Sequence, residues 1–258
     1  MKAYRYKLAP YRNGFKWCEN RINPRRQYLF HYTSMYCASQ ILTSGMLRFS
    51  NISNSNDILE RIHDMYGGAI EESSKELKHY RQMSFTMNGK RDGFAIPAMW
   101  GHYGDKGTGV CLIFDKAVLL ANLPHQSYYN KITYFGDYYS DFDSSIICGE
   151  DPKMFFKKNI DEIFFKKSED WSYEQEFRIV HRTDHPDIPV YISIKNALNA
   201  VVIHAPKGTP DDGCVFNSPE YIALKNMIPK IPILSLGKLL TDLSLSDSNG
   251  NDHISMFR

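Results

Sequence analysis

Two glutamates, Glu174 and Glu176, stand two positions apart directly before the apolar run at 177–180, with Trp171 and Tyr173 close by. Alternate residues of an extended strand project from one face, so the spacing predicts that both carboxylates point in the same direction. Paired carboxylates on a rigid strand suit a site that orients a hydroxyl group and stabilises a developing positive charge. The alternative is a solvated strand face whose glutamates pair with Arg178 or with nearby lysines.

Other polar and aromatic side chains fall inside segments with strand or helix patterns, and each also has an ordinary structural explanation. Trp100 and Tyr103, three apart on a predicted helix, are typical of core residues. Ser84 and Thr86 alternate along a predicted strand as surface residues would. The candidate polar set is His31, Tyr32, Thr33, Ser84, Thr86, Trp100, Tyr103, Glu174 and Glu176.

Three other kinds of chemistry have no support in the sequence. The nine histidines include no His-Glu-x-x-His pattern, so we predict no metal site. The glycine-rich segment 104–109 lacks the closing Gly-Lys-Ser/Thr of a phosphate-binding loop and leads into a strand, which favours a turn. No Gly-x-Ser-x-Gly elbow surrounds a serine nucleophile.

The elements that must position these residues mix strands and helices irregularly. An aromatic-rich strand is predicted at 28–33, followed by a helix that Ser34 caps and Gly45 ends. Further strands are predicted at 46–49, 83–87, 109–114, 131–135, 177–181, 190–194 and 200–205, and helices at 58–79, from Pro97 and at 153–167. This order indicates one α+β domain at 28–240 with a largely antiparallel sheet, between an arm at 1–27 and a polar, frayed tail at 241–258.

Positive charge is concentrated at the N-terminus, although the whole chain carries a net charge of only +2. Residues 1–26 hold eight Lys and Arg against Glu19 alone, a sum of 8 − 1 = +7, which leaves −5 for the rest. Cations interleaved with aromatic rings are typical of single-stranded nucleic-acid binding, and a basic strand packed on the body is the alternative. The predicted nucleic-acid contacts are Arg5, Arg12, Trp17, Arg25 and Arg26.

The five cysteines are widely scattered, and no pair has the spacing of a zinc site or a redox motif. The first residues lack the apolar core of a signal peptide, and no apolar run is long enough to span a bilayer. We therefore expect a cytoplasmic protein with free thiols and no membrane contact.

Five blocks occur in a fixed order along the chain: Leu-Phe-His-Tyr-Thr at 29–33, Asn56 and Asp57 with Glu60, Met-Trp-Gly-His-Tyr at 99–103, Gly-Val-Cys-Leu-Ile-Phe at 109–114, and Trp-x-Tyr-Glu-x-Glu-Phe-Arg-Ile at 171–179. Together they resemble a bacterial family of unknown function (domain of unknown function 2971), over roughly residues 28–180. The resemblance covers neither the basic arm nor the last third closely.

That family is in turn distantly similar to ADP-ribosyltransferases, which implies a split sheet and NAD as co-substrate without a metal. The resemblance places Glu176 as the catalytic acid and Glu174 as the residue that orients the acceptor. His31 would bond the adenosine-side ribose with support from Thr33, and Ser84 would support Glu176. The full set implied for cofactor binding is His31, Tyr32, Thr33, Ser84, Trp100 and Tyr103, with Trp100 or Tyr103 stacking on nicotinamide.

The leading hypothesis is an NAD-dependent ADP-ribosyltransferase of the toxin or antiphage type. The basic arm favours a nucleic-acid acceptor, and such an effector would be expected to need an antitoxin partner. The alternatives are a non-enzymatic module on the same fold that binds nucleic acid or a partner, and an NAD glycohydrolase that transfers to water. Removal of a phosphate from RNA is disfavoured, because that chemistry needs no essential glutamate.

Overall fold

The computed structural model describes residues 27–52, 75–136, 151–204, 217–239 and 242–247. The basic arm, the block with Asn56, Asp57 and Glu60, and most of the helix predicted at 58–79 lie outside the described residues. The described part is a mixed α+β domain built on a mostly antiparallel sheet, as the sequence predicts.

The strands are β1 (Tyr28–Thr33), β2 (Met46–Arg48), β3 (Ser50–Asn51), β4 (Tyr80–Thr86), β5 (Val110–Asp115), β6 (Ser127–Lys131), β7 (Thr133–Phe135), β8 (Lys166–Ser168), β9 (Glu176–Arg182), β10 (Tyr191–Ser193), β11 (Leu198–His204), β12 (Ile233–Leu239) and β13 (Asp242–Ser246). The α-helices are α1 (Met35–Ser44), α2 (Pro97–His102), α3 (Lys116–Ala121), α4 (Pro152–Lys158), α5 (Ile160–Phe164) and α6 (Pro219–Met227). Two 3₁₀ helices span Asp105–Gly107 and Glu169–Glu174.

The main sheet has nine strands, eight of them in the order β13-β12-β11-β5-β1-β4-β9-β6, and β3 also pairs with β4. Its neighbours are antiparallel except for β11 and β12, which run parallel. Two smaller sheets pair β10 with β2 and β7 with β8.

The main sheet opens between β1 and β4. These strands share one paired position, Phe30 opposite Thr86, whereas β1 pairs with β5 along its whole length. Further along the same edge of β4, β3 pairs with Arg81 and Gln82. The edge of β4 at 83–85 therefore faces a gap between β1 and β3, into which side chains can reach.

Apolar cores cover both faces of the sheet, as the alternation along β1 requires. Leu29 lies in the core that also holds Met83 and Phe85, and Phe30 lies in the opposite core with Ile113. A third apolar cluster, around Tyr80, packs α4 and α5 against the far end of β4 and β9. The gap in the sheet lies between these cores.

The helix predicted at 153–167 is confirmed in part: residues 152–158 and 160–164 form two helices, α4 and α5, separated at Asn159, and residues 166–168 form β8 instead. The backbone N–H and the side-chain amide of Asn159 both donate to the Phe155 carbonyl, at 3.0 Å each. An asparagine that satisfies the last carbonyls of a turn through its side chain favours a helix end over continuation.

Two other boundaries also differ from the prediction. The strand predicted at 131–135 is interrupted at Ile132, a buried residue whose N–H donates to the Glu176 carbonyl at 2.9 Å. Residues 242–246, within the predicted frayed tail, form β13 and pair with β12 in antiparallel register.

Candidate active site

A cavity of about 690 Å³ occupies the opening between β1 and β4. One wall is formed by α1, through residues such as Cys37 and Gln40, and by β2 through Arg48. The other wall is formed by the polar side of β4 and by a cluster of charged residues from three further elements. That cluster consists of Lys167, Glu174, Glu176 and Arg178, with Tyr103 beside it.

The two glutamates come together, but not through the extended backbone that the sequence suggests. Glu174 ends a 3₁₀ helix, Gln175 is left-handed (φ 48°, ψ 47°) and β9 begins at Glu176. The Gln175 amide holds this turn, donating to the carbonyls of Met87 at 2.7 Å and Arg91 at 2.8 Å. The prediction that both acids lie on one strand is therefore wrong, although their carboxylates do face the same cavity.

Glu176 is buried, with 4% of its surface exposed, and it is held by a neighbour on its own strand. Arg178 Nε donates to Glu176 Oε1 at 2.7 Å, and Nη2 donates to Oε2 at 3.0 Å. Arg178 Nη1 is fixed in turn by the Phe164 carbonyl at 2.9 Å. A bidentate pair of this kind sets both the position and the orientation of the carboxylate.

Glu174 is equally buried, but its partners are different. Lys167 Nζ donates to Glu174 Oε2 at 2.7 Å, and the Tyr103 hydroxyl donates to Oε1 at 2.7 Å. Lys167 also lies 3.4 Å from Glu176 Oε2, so one ammonium group bridges the two carboxylates. Its Nζ lies 4.7 Å from the centroid of the Trp171 ring, which covers it.

These surroundings separate the acidities of the two glutamates. Burial raises the pKa of Glu174 to about 7, and the repulsion from Glu176 adds to this against the attraction of Lys167. Burial acts on Glu176 too, but the charges of Arg178 and Lys167 outweigh it and hold the pKa of Glu176 well below its ordinary value. At neutral pH the pair therefore combines a permanent carboxylate with one that exchanges a proton.

Residues from β1 and β4 complete the cavity wall. His31 and Thr33 line it, and His31 Nδ1 makes a 3.3 Å hydrogen bond with the Ser84 carbonyl across the opening. Burial lowers the pKa of His31, so the ring is neutral at pH 7. The Ser84 side chain also lines the cavity, and hydrogen bonding from it is one of the smaller influences that lower the pKa of Glu176.

Two of the residues predicted to bind cofactor have their rings packed in the apolar core. Trp100 is buried, donates from Nε1 to the Phe94 carbonyl at 2.8 Å and packs edge-on against Tyr32. The Tyr32 hydroxyl donates to the Gly93 carbonyl at 2.6 Å, so its ring belongs to the same core, although Tyr32 also borders the cavity. Trp100 does not line the cavity, whereas Tyr103 does.

The sequence did not single out Lys167 or Tyr134. The Tyr134 hydroxyl accepts a hydrogen bond from the Glu176 N–H at 2.8 Å, and this fixes the start of β9. Both residues come from the small sheet of β7 and β8. No pattern of neighbouring residues in the sequence predicts that this sheet packs beside the main sheet. The sequence predicts Arg178 only as a surface partner of the glutamates, whereas it is buried.

Other predicted features fall outside the cavity or outside the described residues. Arg5, Arg12, Trp17, Arg25 and Arg26 lie outside the described residues. In the described ranges, no group of three or more His, Cys, Asp or Glu side chains has an arrangement suited to a metal ion. The same ranges contain no helix with the length and apolar character needed to cross a membrane.

Comparison with known proteins finds a similarity over part of the chain. A family model described as "Protein of unknown function (DUF2971)" matches residues 99–179, the part of the chain that contributes Tyr103, Lys167 and both glutamates to the cavity. This supports the predicted resemblance to that family over this segment. No curated protein and no solved structure matches the chain significantly, and the distant similarity to ADP-ribosyltransferases stays a prediction.

Proposed function

We propose that the chain is an NAD-dependent ADP-ribosyltransferase whose co-substrate binds in the cavity between β1 and β4. The observation that carries the proposal is that candidate site residues predicted from separate parts of the sequence line the same cavity. His31, Ser84 and Glu176 belong to three different strands and line one cavity, together with Glu174 and Tyr103. A volume of about 690 Å³ lies in the range of small-molecule sites.

The proposed reaction breaks the bond between nicotinamide and ribose, and the bonding electrons leave with nicotinamide. The ribose becomes an oxocarbenium-like cation, as in glycoside cleavage, and a permanent negative charge beside it stabilises that state. Glu176 fits this role because Arg178 and Lys167 keep it ionised and oriented.

The acceptor then attacks the ribose carbon and loses a proton. Glu174 fits the role of the proton acceptor, because its pKa of about 7 matches the pH at which a general base works best. Tyr103 is hydrogen-bonded to Glu174 and lines the cavity, whereas Trp100 is buried. We therefore assign stacking on nicotinamide to Tyr103 and not to Trp100. His31, with Thr33 beside it, is placed for the adenosine-side ribose.

A buried hydroxyl next to Glu176 supports a ligand at this position. Thr86 is fully buried, borders the cavity and lies opposite Glu176 in the β4–β9 register. Its Oγ1 has no hydrogen-bond partner within the described part of the protein. Buried polar atoms are normally paired, so a polar group of a bound molecule is the expected partner.

Incubation of the purified protein with labelled NAD and cell lysate tests the proposal. Label that survives protease and is released by nuclease would indicate transfer to nucleic acid, the acceptor we favour. Protease-sensitive label would indicate a protein acceptor, and free nicotinamide without labelled macromolecule would indicate glycohydrolase action. No NAD turnover in any fraction would contradict the enzyme proposal.

Substitution of the acid links that activity to the cavity. Glu176→Gln is expected to lower the rate by ~10²–10³, the usual loss for one positioned electrostatic group. Because it leaves Arg178 short of its anion, folding must be verified by circular dichroism at the assay temperature. Glu162→Gln, on an exposed helix position paired with Lys166, is the matched control and should keep full activity.

The biological setting is also part of the proposal. We infer a cytoplasmic toxin or antiphage effector with a nucleic-acid acceptor, neutralised by an antitoxin partner. Its support is the +7 charge of residues 1–26 together with the resemblance given above.

A second candidate is a non-enzymatic binding module on the same scaffold. The observation that favours it is that all four carboxylate oxygens of Glu174 and Glu176 already accept hydrogen bonds from the protein. Each carboxylate oxygen has two lone pairs, so capacity for a ribose hydroxyl remains. Ligand binding without any nicotinamide release would favour the module.

A further inference from the structure

The cavity extends well beyond the carboxylates. Glu176 lies opposite Thr86 at one end of β4, and Gln82 lies four residues earlier on the same strand. At the rise of a β-strand, four residues span about 13 Å. Gln82 also lines the cavity, where β3 joins the edge of β4.

Gln82 presents an unused acceptor at this end. The side chain is buried, with 7% of the residue exposed, and it borders the cavity. Its Oε1 has no hydrogen-bond partner within the ranges that the structure describes. A buried amide oxygen without a partner lowers stability, so a site that retains one is expected to use it on a ligand donor.

The same end of the cavity carries a positive charge that no acid within the described ranges neutralises through an ion pair. Arg48, on β2, is exposed and lines the cavity. Burial is the main cause that lowers the pKa of Arg81. The nearby charge of Arg48 lowers this pKa further, and the attraction of Asp187 raises it. Among the described residues neither arginine makes an ion pair, and Arg81 donates only to the carbonyls of Lys78, Tyr80 and Pro186.

We infer that Arg48 and Gln82 form a second subsite for a diphosphate and the sugar hydroxyl next to it, about 13 Å along β4 from the carboxylates. Arg48 supplies the charged donors that phosphate oxygens require, and Gln82 Oε1 accepts from the hydroxyl. This inference deepens the proposed function, on which it rests. In NAD the diphosphate follows the reacting ribose directly, so one ligand would reach both ends.

Two ligands that share different parts of NAD test the subsite by calorimetry on the full chain. ADP contains the diphosphate and lacks nicotinamide, and nicotinamide riboside contains the reacting bond and lacks phosphate. Arg48→Gln should weaken ADP and NAD by about 10- to 100-fold, the effect of one charge-assisted hydrogen bond, and should leave nicotinamide riboside unchanged. Lys195→Gln, an exposed lysine that does not line the cavity, is the charge-matched control and should bind all three as the unchanged protein does.

Gln82→Leu separates a ligand role from a structural one. It removes a buried acceptor that lacks a partner and keeps the apolar stem, so the melting temperature should not fall. Affinity for ADP should fall about 10-fold, because the sugar hydroxyl loses its acceptor. A large fall in melting temperature with unchanged ADP affinity would show a structural residue and overturn the inference.

The outcomes distinguish this inference from the proposed enzyme activity. If NAD is turned over but Arg48→Gln and Gln82→Leu bind NAD and ADP like the unchanged protein, the subsite is wrong and the enzyme stands. If ADP binds and depends on both residues but NAD is never cleaved, the subsite stands and the enzyme is wrong. If neither ADP nor NAD binds, the subsite is overturned as well.

Discussion

Glu174 and Glu176 share one cation, yet their carboxylates hold protons with very different strength. Glu176 has a bidentate arginine in addition to Lys167, whereas Glu174 has a neutral tyrosine. The difference is therefore produced by which residue each oxygen contacts, since both side chains are buried to the same degree. This difference in pKa between Glu174 and Glu176 affects the stability of the protein whether or not a ligand is bound.

The first prediction concerns the pH dependence of folding. The pKa of Glu174 is raised from 4.5 to about 7 in the folded protein, so the folded state holds a proton that the unfolded state has lost. Its contribution to stability is complete below pH 4.5 and is lost as the pH rises to about 7. The loss amounts to about 3 kcal/mol, from about 1.4 kcal/mol for each pH unit.

Urea unfolding of the unchanged protein and of Glu174→Gln across this pH range measures the effect. The difference between the two curves isolates Glu174 from groups such as His31, whose lowered pKa acts in the opposite direction. The substituted protein should lack the decline towards neutral pH and keep the acid-side loss caused by Glu176. Parallel curves would mean that Glu174 titrates normally.

The second prediction concerns Lys167. Lys167→Met keeps an unbranched side chain that is one atom shorter and removes the charge between two buried carboxylates. Loss of one partner from a buried ion pair costs about 3–5 kcal/mol, and the cost should be smaller at pH 5, where Glu174 takes up a proton more easily. Urea midpoints at pH 5 and pH 8 measure both values.

The preceding lysine provides the control. Lys166 pairs with Glu162 where both side chains are partly exposed, so Lys166→Met should cost less than about 1 kcal/mol at either pH. Equal losses for the two substitutions would show that the buried cluster is no more coupled than a surface pair.

At the scale of elements, the turn from the 3₁₀ helix into β9 is what brings the two acids together. Gln175 adopts a left-handed backbone, which costs a residue with a side chain about 1–2 kcal/mol. Its side chain offsets that cost with three hydrogen bonds, two donated to carbonyls and one accepted from the Arg91 N–H at 2.9 Å.

The third prediction follows from those opposing effects. Gln175→Ala loses the hydrogen bonds and keeps the strained backbone, so it should destabilise the protein by about 2–3 kcal/mol. Gln175→Gly loses the same bonds but removes the strain, so it should be about 1 kcal/mol more stable than the alanine variant. Denaturant midpoints measure the order, and an alanine variant more stable than the glycine variant would contradict the assigned backbone.

Comparison of β1 and α1 with the turn at Gln175 shows what local sequence signals can predict. β1 and α1 were predicted closely because their limits depend on neighbouring residues: the Ser34 hydroxyl accepts from the Cys37 N–H, and Gly45 is left-handed (φ 67°). Gln175 carries no such signal, because glutamine rarely adopts this backbone without tertiary hydrogen bonds. The extended Glu-x-Glu prediction failed for that reason.

The site was predicted in part, and its errors follow from how helices and small sheets are oriented. Met99 in α2 and Tyr103 directly after it line the cavity at a spacing of four, whereas Trp100 between them does not line it and packs in the core. Only the rotation of the helix on the sheet decides this. Lys167 comes from β8, which reaches the site through the pairing of β7 and β8.

For the whole molecule, the arm and the domain differ in the sign of their net charge. Residues 1–26 carry +7 and the remaining chain −5, and the charges around Glu174 and Glu176 in the cavity lie in buried pairs. A polyanionic acceptor would therefore be attracted chiefly by the arm, while NAD affinity depends on the cavity. The two affinities should respond differently to salt.

The fourth prediction tests that division in the full chain. Neutralising four arm residues should lower the slope of log affinity against log salt for single-stranded RNA by about 3, at about 0.7 for each phosphate that the arm no longer neutralises. The four substitutions are Arg5→Gln, Arg12→Gln, Arg25→Gln and Arg26→Gln. NAD affinity should not change. Fluorescence anisotropy over a salt series measures the slope.

A second set of four neutralisations makes the comparison specific to the arm. Exposed lysines of the domain supply the same change in net charge: Lys90, Lys195, Lys225 and Lys230, each replaced by Gln. If RNA is held by the arm, this set should alter the slope little, because few of its charges lie near the bound phosphates. Equal changes from both sets would mean that RNA responds to net charge alone, and a salt-independent affinity would remove the electrostatic basis for a nucleic-acid acceptor.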